Sequence, residues 1–258
     1  MDRAFYTGAV GAIAHQEKLN IIANNIANVN THGYKRKPST FSECIYSNLN
    51  EIAQQPSDYI AGAGVHVEKT DIDFTQGHLA TTGQEYDYMI KGDGFFAIQN
   101  PVTQEITYTR TGSFMTSLQP DGTFYLETQN GKRVLDAEQN QIIVGTLPAA
   151  EGENQVPGAQ EMISGQDLVP QIGIYTFPSK NGMQSVRGTE FIPAEKDGEP
   201  IAQPANHTIL EQKALEMSNV NLGEELSRMI EAQRCYQYSL RMVQTSDEVE
   251  TTINGLRS

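Results

Sequence analysis

Apolar residues recur with helical spacing at both ends of the chain. Near the start, Phe5, Gly8, Ala12, His15, Leu19, Ile22, Ile26 and Val29 follow one another at alternating steps of three and four positions. That spacing lines one face of a helix in the manner of a coiled-coil heptad. Gly8, Gly11 and Ala12 are small enough to let another helix approach closely, and His15 reads as a polar stripe position rather than a ligand. The helix should stop near Asn30, with Gly33 supplying the reversal of the backbone. Near the end, Leu222, Leu226, Met229, Tyr236, Leu240 and Val243 repeat the pattern across Gln233. Met242, Val249, Ile253 and Leu256 continue it after a slip in phase, and Arg228, Glu231, Arg234, Arg241 and Glu248 mark the opposite face. Asn221 is a good N-cap, with Glu224 three residues on to complete a capping box. Glu224 and Glu225 suit the positive end of the helix dipole. No proline interrupts the run, which as a helix would be roughly 50 Å long. Two such stripes should be buried against each other or against neighbouring copies. Periodicity alone leaves open a long helix packed on its own globular domain.

Between the ends the pattern becomes strand-like. Residues 37–84 read as a connector with strand-like pieces at 65–67 and 72–74 and turns at Gly62, Gly64 and Gly77. The run 56–64 is expected to be mobile. Residues 86–144 are the clearest β-region. Met89, Ile90, Phe95, Phe96 and Ile98 flank Gly92-Asp93-Gly94, a hairpin-turn sequence. Asp121-Gly122 and Asn130-Gly131 signal two more hairpins, spaced as a meander needs. Residues 147–165 read as a polar loop, 172–177 as a strand, Asn181-Gly182 as a turn, and Phe191-Ile192 as the start of a last strand. A loop at 196–206 and an extended piece at 208–214 lead to a corner at Ser218. The fold class is α+β: paired long N- and C-terminal helices, coiled-coil-like, plus a central mainly-β domain.

Composition sharpens this division. All 11 prolines lie between Pro38 and Pro204, as do 17 of the 22 glycines. Proline inside a helix costs ~3 kcal/mol, so the two ends are free to be helical and the middle is not. The 258 residues suffice for one large or two modest domains. The net charge of −14 argues against nucleic acid as a partner. Residues 1–37 carry five basic and two acidic side chains, whereas residues 205–258 carry five basic and eight acidic. Opposite net charges favour pairing of the two ends, although one exposed pair contributes only ~0–1 kcal/mol. There is no run of eighteen apolar residues and hence no membrane span. The opening residues lack a long apolar stretch and a cleavage site, so an exported chain would use a route that leaves the N-terminus uncleaved.

A search for chemistry finds no constellation. Cys44 and Cys235 are too few and too far apart in sequence for a disulfide framework. His15, His32, His66, His78 and His207 show no metal-ligand spacing, and no GxSxG occurs. Gly92-Asp93-Gly94 lacks the third glycine and the following helix of a phosphate loop. Asp71 and Asp73 read as surface groups on a strand edge. No cofactor and no metal is implied, and the chain does not read as an enzyme.

Asn24, Asn25, Asn28 and Asn30 crowd the end of the first stripe, where asparagine competes with the backbone for hydrogen bonds and is a poor helix former. A polar helix face whose carboxamides bond to neighbours would account for them. The whole segment 23–36, ANNIANVNTHGYKR, resembles the opening signature of bacterial flagellar rod and hook proteins. The run 218–237, SNVNLGEELSRMIEAQRCYQ, is similar to the closing signature of that family. IKGDGFFAI (90–98), YTRTGSF (108–114) and DGTFYLETQNGKRVL (121–135) resemble its central region, in the family's order. The opening MDRAFYT and the short segment after Phe41 favour the proximal-rod type, with the distal type, suggested by residues 214–221, close behind.

The resemblance implies a structural subunit of the flagellar basal-body rod. It implies an inner helical domain from residues 1–36 and 207–258, a connector over 37–84, and an outer β-rich domain over 85–206. Subunits would stack helically into a hollow drive shaft that transmits torque. The partners implied are sibling rod proteins, copies of the chain itself and the flagellar type III export apparatus, in the cell envelope. Subunit-interface residues would be Leu19, Ile22, Asn24, Asn25, Ile26, Asn28, Val29 and Asn30 on the first helix, and Leu222, Leu226, Met229, Tyr236, Leu240 and Val243 on the last. The terminal helices are expected to be loosely ordered in the monomer and to order on assembly. A glycan- or protein-binding β-domain of the envelope, a hook component, and an enzyme with paired carboxylates in a cleft are the competing readings.

Overall fold

The computed structural model describes residues 3–44, 47–48, 60–62, 64–146, 163–205 and 209–257. The mobility expected for 56–64 and the loop expected over 147–165 fall largely outside them. In chain order the elements are α1 (Arg3–Ala27), β1 (Ser39–Glu43), β2 (Ser47–Asn48), β3 (Ile60–Ala61), β4 (Val65–Thr70), β5 (Leu79–Thr81), β6 (Tyr88–Ile90), β7 (Phe95–Gln99), β8 (Ile106–Thr109) and β9 (Phe114–Leu118). They continue as β10 (Thr123–Thr128), β11 (Arg133–Val134), β12 (Ile143–Thr146), α2 (Gly165–Leu168), β13 (Gly173–Thr176), β14 (Gln184–Arg187), β15 (Glu190–Ile192), β16 (Ile201–Pro204), β17 (Leu210–Gln212), β18 (Ala214–Glu216) and α3 (Leu222–Arg257). The fold is α+β, with a long helix at each end and antiparallel strands between. The chain forms two units. One comprises Met1–Asn28, Arg36–Asp73 and Val220–Ser258, and the other Val29–Lys35 with Phe74–Asn219.

In the first unit α1 and α3 run antiparallel. Gly8 lies against Ser239, Met242 and Val243, while Asn25 at the far end of α1 bonds to Glu225 at the start of α3. Gly8, Ala12, Ile22 and Asn25 are buried on α1, and Glu225, Ala232 and Ser246 on α3. The seam is thus built largely from small residues. β1 and β4 pair from Glu43↔Val65 to Ser39↔Thr70, with a bulge at Thr40/Phe41. They cover a second side of α1: the Phe41 ring lies 5.8 Å from His15 and 5.3 Å from the Lys18 ammonium.

The second unit is strand-built. Its sheet runs β12-β10-β11-β7-β8-β15-β14, with β9 added to β10, and β13 bridging β7 to β16. β7 reads as a continuous apolar run because both its faces are covered. Phe96 and Ile98 enter one core with Tyr88, Phe114, Leu126, Val144, Ile172 and Ile174. Phe95 enters an edge-to-face cluster with Phe74, Phe177 and Phe191, a geometry that aromatic rings favour. The hairpins expected at Asp121-Gly122 and Asn130-Gly131 join β9 to β10 and β10 to β11, with Leu118↔Phe124 and Glu127↔Arg133 in register.

Three expectations need correction. Gly92-Asp93-Gly94 is not a hairpin turn: β6 pairs with β17, whereas β7 pairs with β8, β11 and β13. The segment carries the chain from one sheet to another, and Gly92 and Gly94 supply positive φ of 88° and 143°. Residues 72–74 form no strand, because Phe74 turns into the aromatic cluster instead of pairing along an edge. The loop expected at 196–206 contains β16, which pairs with β13 from Gly173↔Pro204 to Thr176↔Ile201. Its proline hides this strand from sequence reading, yet sits at the last paired position, where a missing N–H is tolerated.

Candidate assembly interface

Local chemistry fixes the ends of both helices. The Asn221 side-chain oxygen accepts from the N–H groups of Gly223, at 3.0 Å, and Glu224, at 3.4 Å, as an N-cap should. Glu224 turns forward to Arg228, one helical turn on. α1 ends at Ala27, short of Asn30, where the Asn28 side chain donates to the Asn24 carbonyl at 2.8 Å. Gly33 then adopts φ +69°, and a Cβ there would strike the Thr111 backbone. No other residue type fits.

Asn25 is the asparagine with a buried task. Its Nδ2 donates to the Lys37 carbonyl at 3.1 Å and to Glu225 Oε2 at 3.2 Å, and its Oδ1 accepts from the Lys37 N–H. Glu225, 1 % exposed, accepts from Arg36 Nε at 2.8 Å. Within the second unit a parallel arrangement surrounds Glu216. Lys35 Nζ donates to Glu216 Oε1 and to the Thr75 carbonyl, and the Gly77 N–H donates to the same Oε1. Arg110 Nη1 reaches Glu216 Oε2 at 3.2 Å, Nη2 reaches the Gly92 carbonyl at 2.8 Å, and the guanidinium lies 5.3 Å over the Phe95 ring. Burial pulls the Arg110 guanidinium below its ordinary pKa, while Glu216 and Asp93 pull it back up. Sequence reading missed Glu216 and Arg110, and saw Glu225 only as a dipole partner at the helix start, since a charge gives no apolar signal when it is buried.

The residues expected at a subunit interface divide into three groups. Ile22 and Asn25 are covered inside the chain's own helix pair. Leu19, Ile26, Asn28, Val29, Met229, Tyr236 and Val243 are half-buried. Asn24, Asn30, Leu222, Leu226 and Leu240 are exposed. Ile230, Met242, Val249, Ile253 and Leu256 join the last group, so most of the large apolar side chains of α3 face water in the single chain.

Three family profiles match along the chain: flagella basal body rod protein over residues 5–35, the D1 domain of flagellar hook protein FlgE/F/G over 89–172, and the C-terminal region of flagellar basal body rod FlgEFG protein over 211–256. The flagellar basal-body rod protein FlgG of Buchnera aphidicola subsp. Baizongia pistaciae is 32% identical over 259 residues, 95% of this chain and 96% of that one. FlgG of Borreliella burgdorferi is 32% identical over 275 residues, covering 100% and 99%. FlgF of Caulobacter vibrioides is 31% identical over 253 residues, covering 96% and 95%. The chain belongs to the flagellar basal-body rod protein family. It is a structural rod subunit and not an enzyme, and it works with other rod proteins in the basal body. The matched segments of this rod protein include the groups that tie its helix ends: Asn25, Gly33 and Lys35 in the first profile, Glu216 and Glu225 in the last. Among the described residues, no helix of the rod protein is long and apolar enough to cross a membrane.

Proposed function

We propose that this rod subunit assembles by burying the outer face of α3 against neighbouring copies and sibling rod proteins. Leu222, Leu226 and Leu240 form the centre of that surface. Asn24 and the half-buried Leu19, Ile26, Asn28, Met229, Tyr236 and Val243 border it, while Ile22 and Asn25 support it from within; Val29 and Asn30, in the other unit, would meet neighbouring subunits on their own account. In this reading residues 1–36 and 207–258 form an inner helical domain, 37–84 a connector and 85–206 an outer β-rich domain. Subunits stack helically into the hollow drive shaft, and torque passes through packed interfaces without any bond being made or broken. Export runs through the flagellar type III apparatus without cleavage, and the terminal helices gain their full order on assembly.

One observation carries the reading. Leu222, Leu226 and Ile230, at successive four-residue steps on one face of a single helix, are 44, 45 and 54% exposed. A continuous apolar strip of that kind marks an interaction surface rather than scattered surface residues. Electron microscopy of basal bodies from cells lacking this chain tests it. The rod should be truncated, and the place where it stops reads the subunit's position along the axle. A complete rod in those cells would overturn the reading.

A further inference from the structure

We propose that the last turns of α3 in one copy dock head to tail into a basic cavity at the opposite end of the helix pair of the next copy. This rests on the rod-subunit reading above and names one contact within it.

The helix pair is uneven. Gly8 lies level with Val243, so Arg3, the first residue of α1, falls level with about Glu248. Beyond that point α3 continues to Arg257 with no described part of α1 beside it. The overhang is about nine residues, roughly 14 Å. It bears Val249, Ile253 and Leu256 on one stripe, 49, 57 and 85% exposed. Glu250 lies on the overhang, with Arg257 at its last position, and Asp247 and Glu248 stand just before it; the three acidic residues are exposed and, among the described residues, outside every ion pair.

The other end of the pair is its complement. A cavity of about 210 Å³ is lined there by Lys18, Arg36, Lys37 and Arg228, with Glu225 and Glu231. Arg36 is matched to Glu225 and Arg228 to Glu224. Among the described residues Lys18 and Lys37 have no carboxylate within ion-pair distance. Lys18 rests on the Phe41 ring, and Lys37 is half-buried, which pulls its ammonium below its ordinary pKa. An ammonium partly shielded from water and without an ion-pair partner gains a charge-assisted hydrogen bond from an incoming carboxylate. Leu222 and Leu226, exposed at this same end, offer the apolar stripe of the overhang something to cover. The cavity carries four basic against two acidic side chains, and residues 247–257 three acidic against one basic, so the contact joins surfaces of opposite net charge. A head-to-tail contact of unlike surfaces that does not close on itself propagates as a filament, and opposite charges set its direction and register.

A cross-link tests this in assembled rods. The only copy of the gene carries Cys44→Ser, Cys235→Ser, Lys37→Cys and Glu250→Cys. Within one chain the two new thiols sit at opposite ends of the pair, about 25 residues of helix or roughly 37 Å apart, so a disulfide must join two copies. Mild oxidation of isolated basal bodies should give a ladder of dimers, trimers and longer chains on a non-reducing gel. Rods that assemble while the chain stays monomeric would overturn the docking but leave the rod reading intact. A charge swap supplies the second arm. Lys18→Glu with Lys37→Glu should cut the motile fraction about tenfold or more, and adding Glu248→Lys with Glu250→Lys should restore it. A doubly reversed chain that folds, as read by its circular dichroism, yet does not restore motility also overturns the docking, and points to an acidic segment of a sibling rod protein as the occupant. Rods that form in cells lacking the chain altogether would instead remove the rod reading itself.

Discussion

Lys35 and Arg36 are consecutive, yet each serves a different buried carboxylate: Lys35 meets Glu216, and Arg36 meets Glu225. Lys35 and Arg110 are 1 and 2% exposed, so Glu216 is the counter-charge shared by two cations that water barely reaches. Removing one partner from a buried set leaves an uncompensated charge, at a cost of about 3–5 kcal/mol. Glu216→Ala should therefore lower the urea midpoint of the purified chain by that equivalent, and an unchanged midpoint would contradict the assignment. His15 gives a pH signature. Burial first, and then Lys18, hold its imidazole below the ordinary value of 6.5, with Glu231 pulling the other way. The unfolded chain takes up the proton near pH 6.5 while the folded chain resists it, so this contribution is complete above that pH and is lost as the pH falls. The melting temperature should drop from pH 7.5 to 5.5 more steeply in the native chain than in His15→Gln; equal slopes would rule out a role for this group.

At the scale of the element, both helices and the two paired hairpins were legible, because heptad spacing and Asn-Gly or Asp-Gly turns are local signals. The seam of α3 was only partly so. Its buried positions include Ala232 and Ser246, with Ser239 against Gly8 and Gly11. Small and hydroxylated residues carry no hydropathy signal, so the large residues drew the eye to a stripe that straddles the seam and the outer face. Asn25 was recognised as a hydrogen-bonding asparagine, but its partner Glu225 lies 200 residues away and no local pattern points to it. The two faces of α3 should respond differently to substitution. Leu226→Ser and Leu240→Ser, both at exposed positions, should shift the stability of the isolated chain by no more than ~0.5 kcal/mol while abolishing motility. Gly8→Leu should do the reverse in the first respect, forcing α1 away from Ser239 and Val243 and costing about 1–3 kcal/mol. Thermal melts set beside swarming assays separate the two cases.

At the scale of the molecule, the chain crosses between its units after Asn28, Lys35, Asp73 and Asn219. The β-built unit has a closed apolar core, whereas the helical unit presents large apolar residues to water. Only one of the two is complete in a single copy. If unlike charges guide the longitudinal contact, association of the purified chain should weaken from 0.05 to 0.5 M salt, where the screening length shrinks to a few ångströms; salt-independent sedimentation would count against it. The most direct measurement is amide hydrogen exchange over residues 222–257, compared between dilute monomer and isolated rods. Burial of the outer face by neighbours predicts exchange roughly a hundredfold slower in the rod for residues 229–243. Equal protection in both states, with the monomer already fully protected, would contradict it.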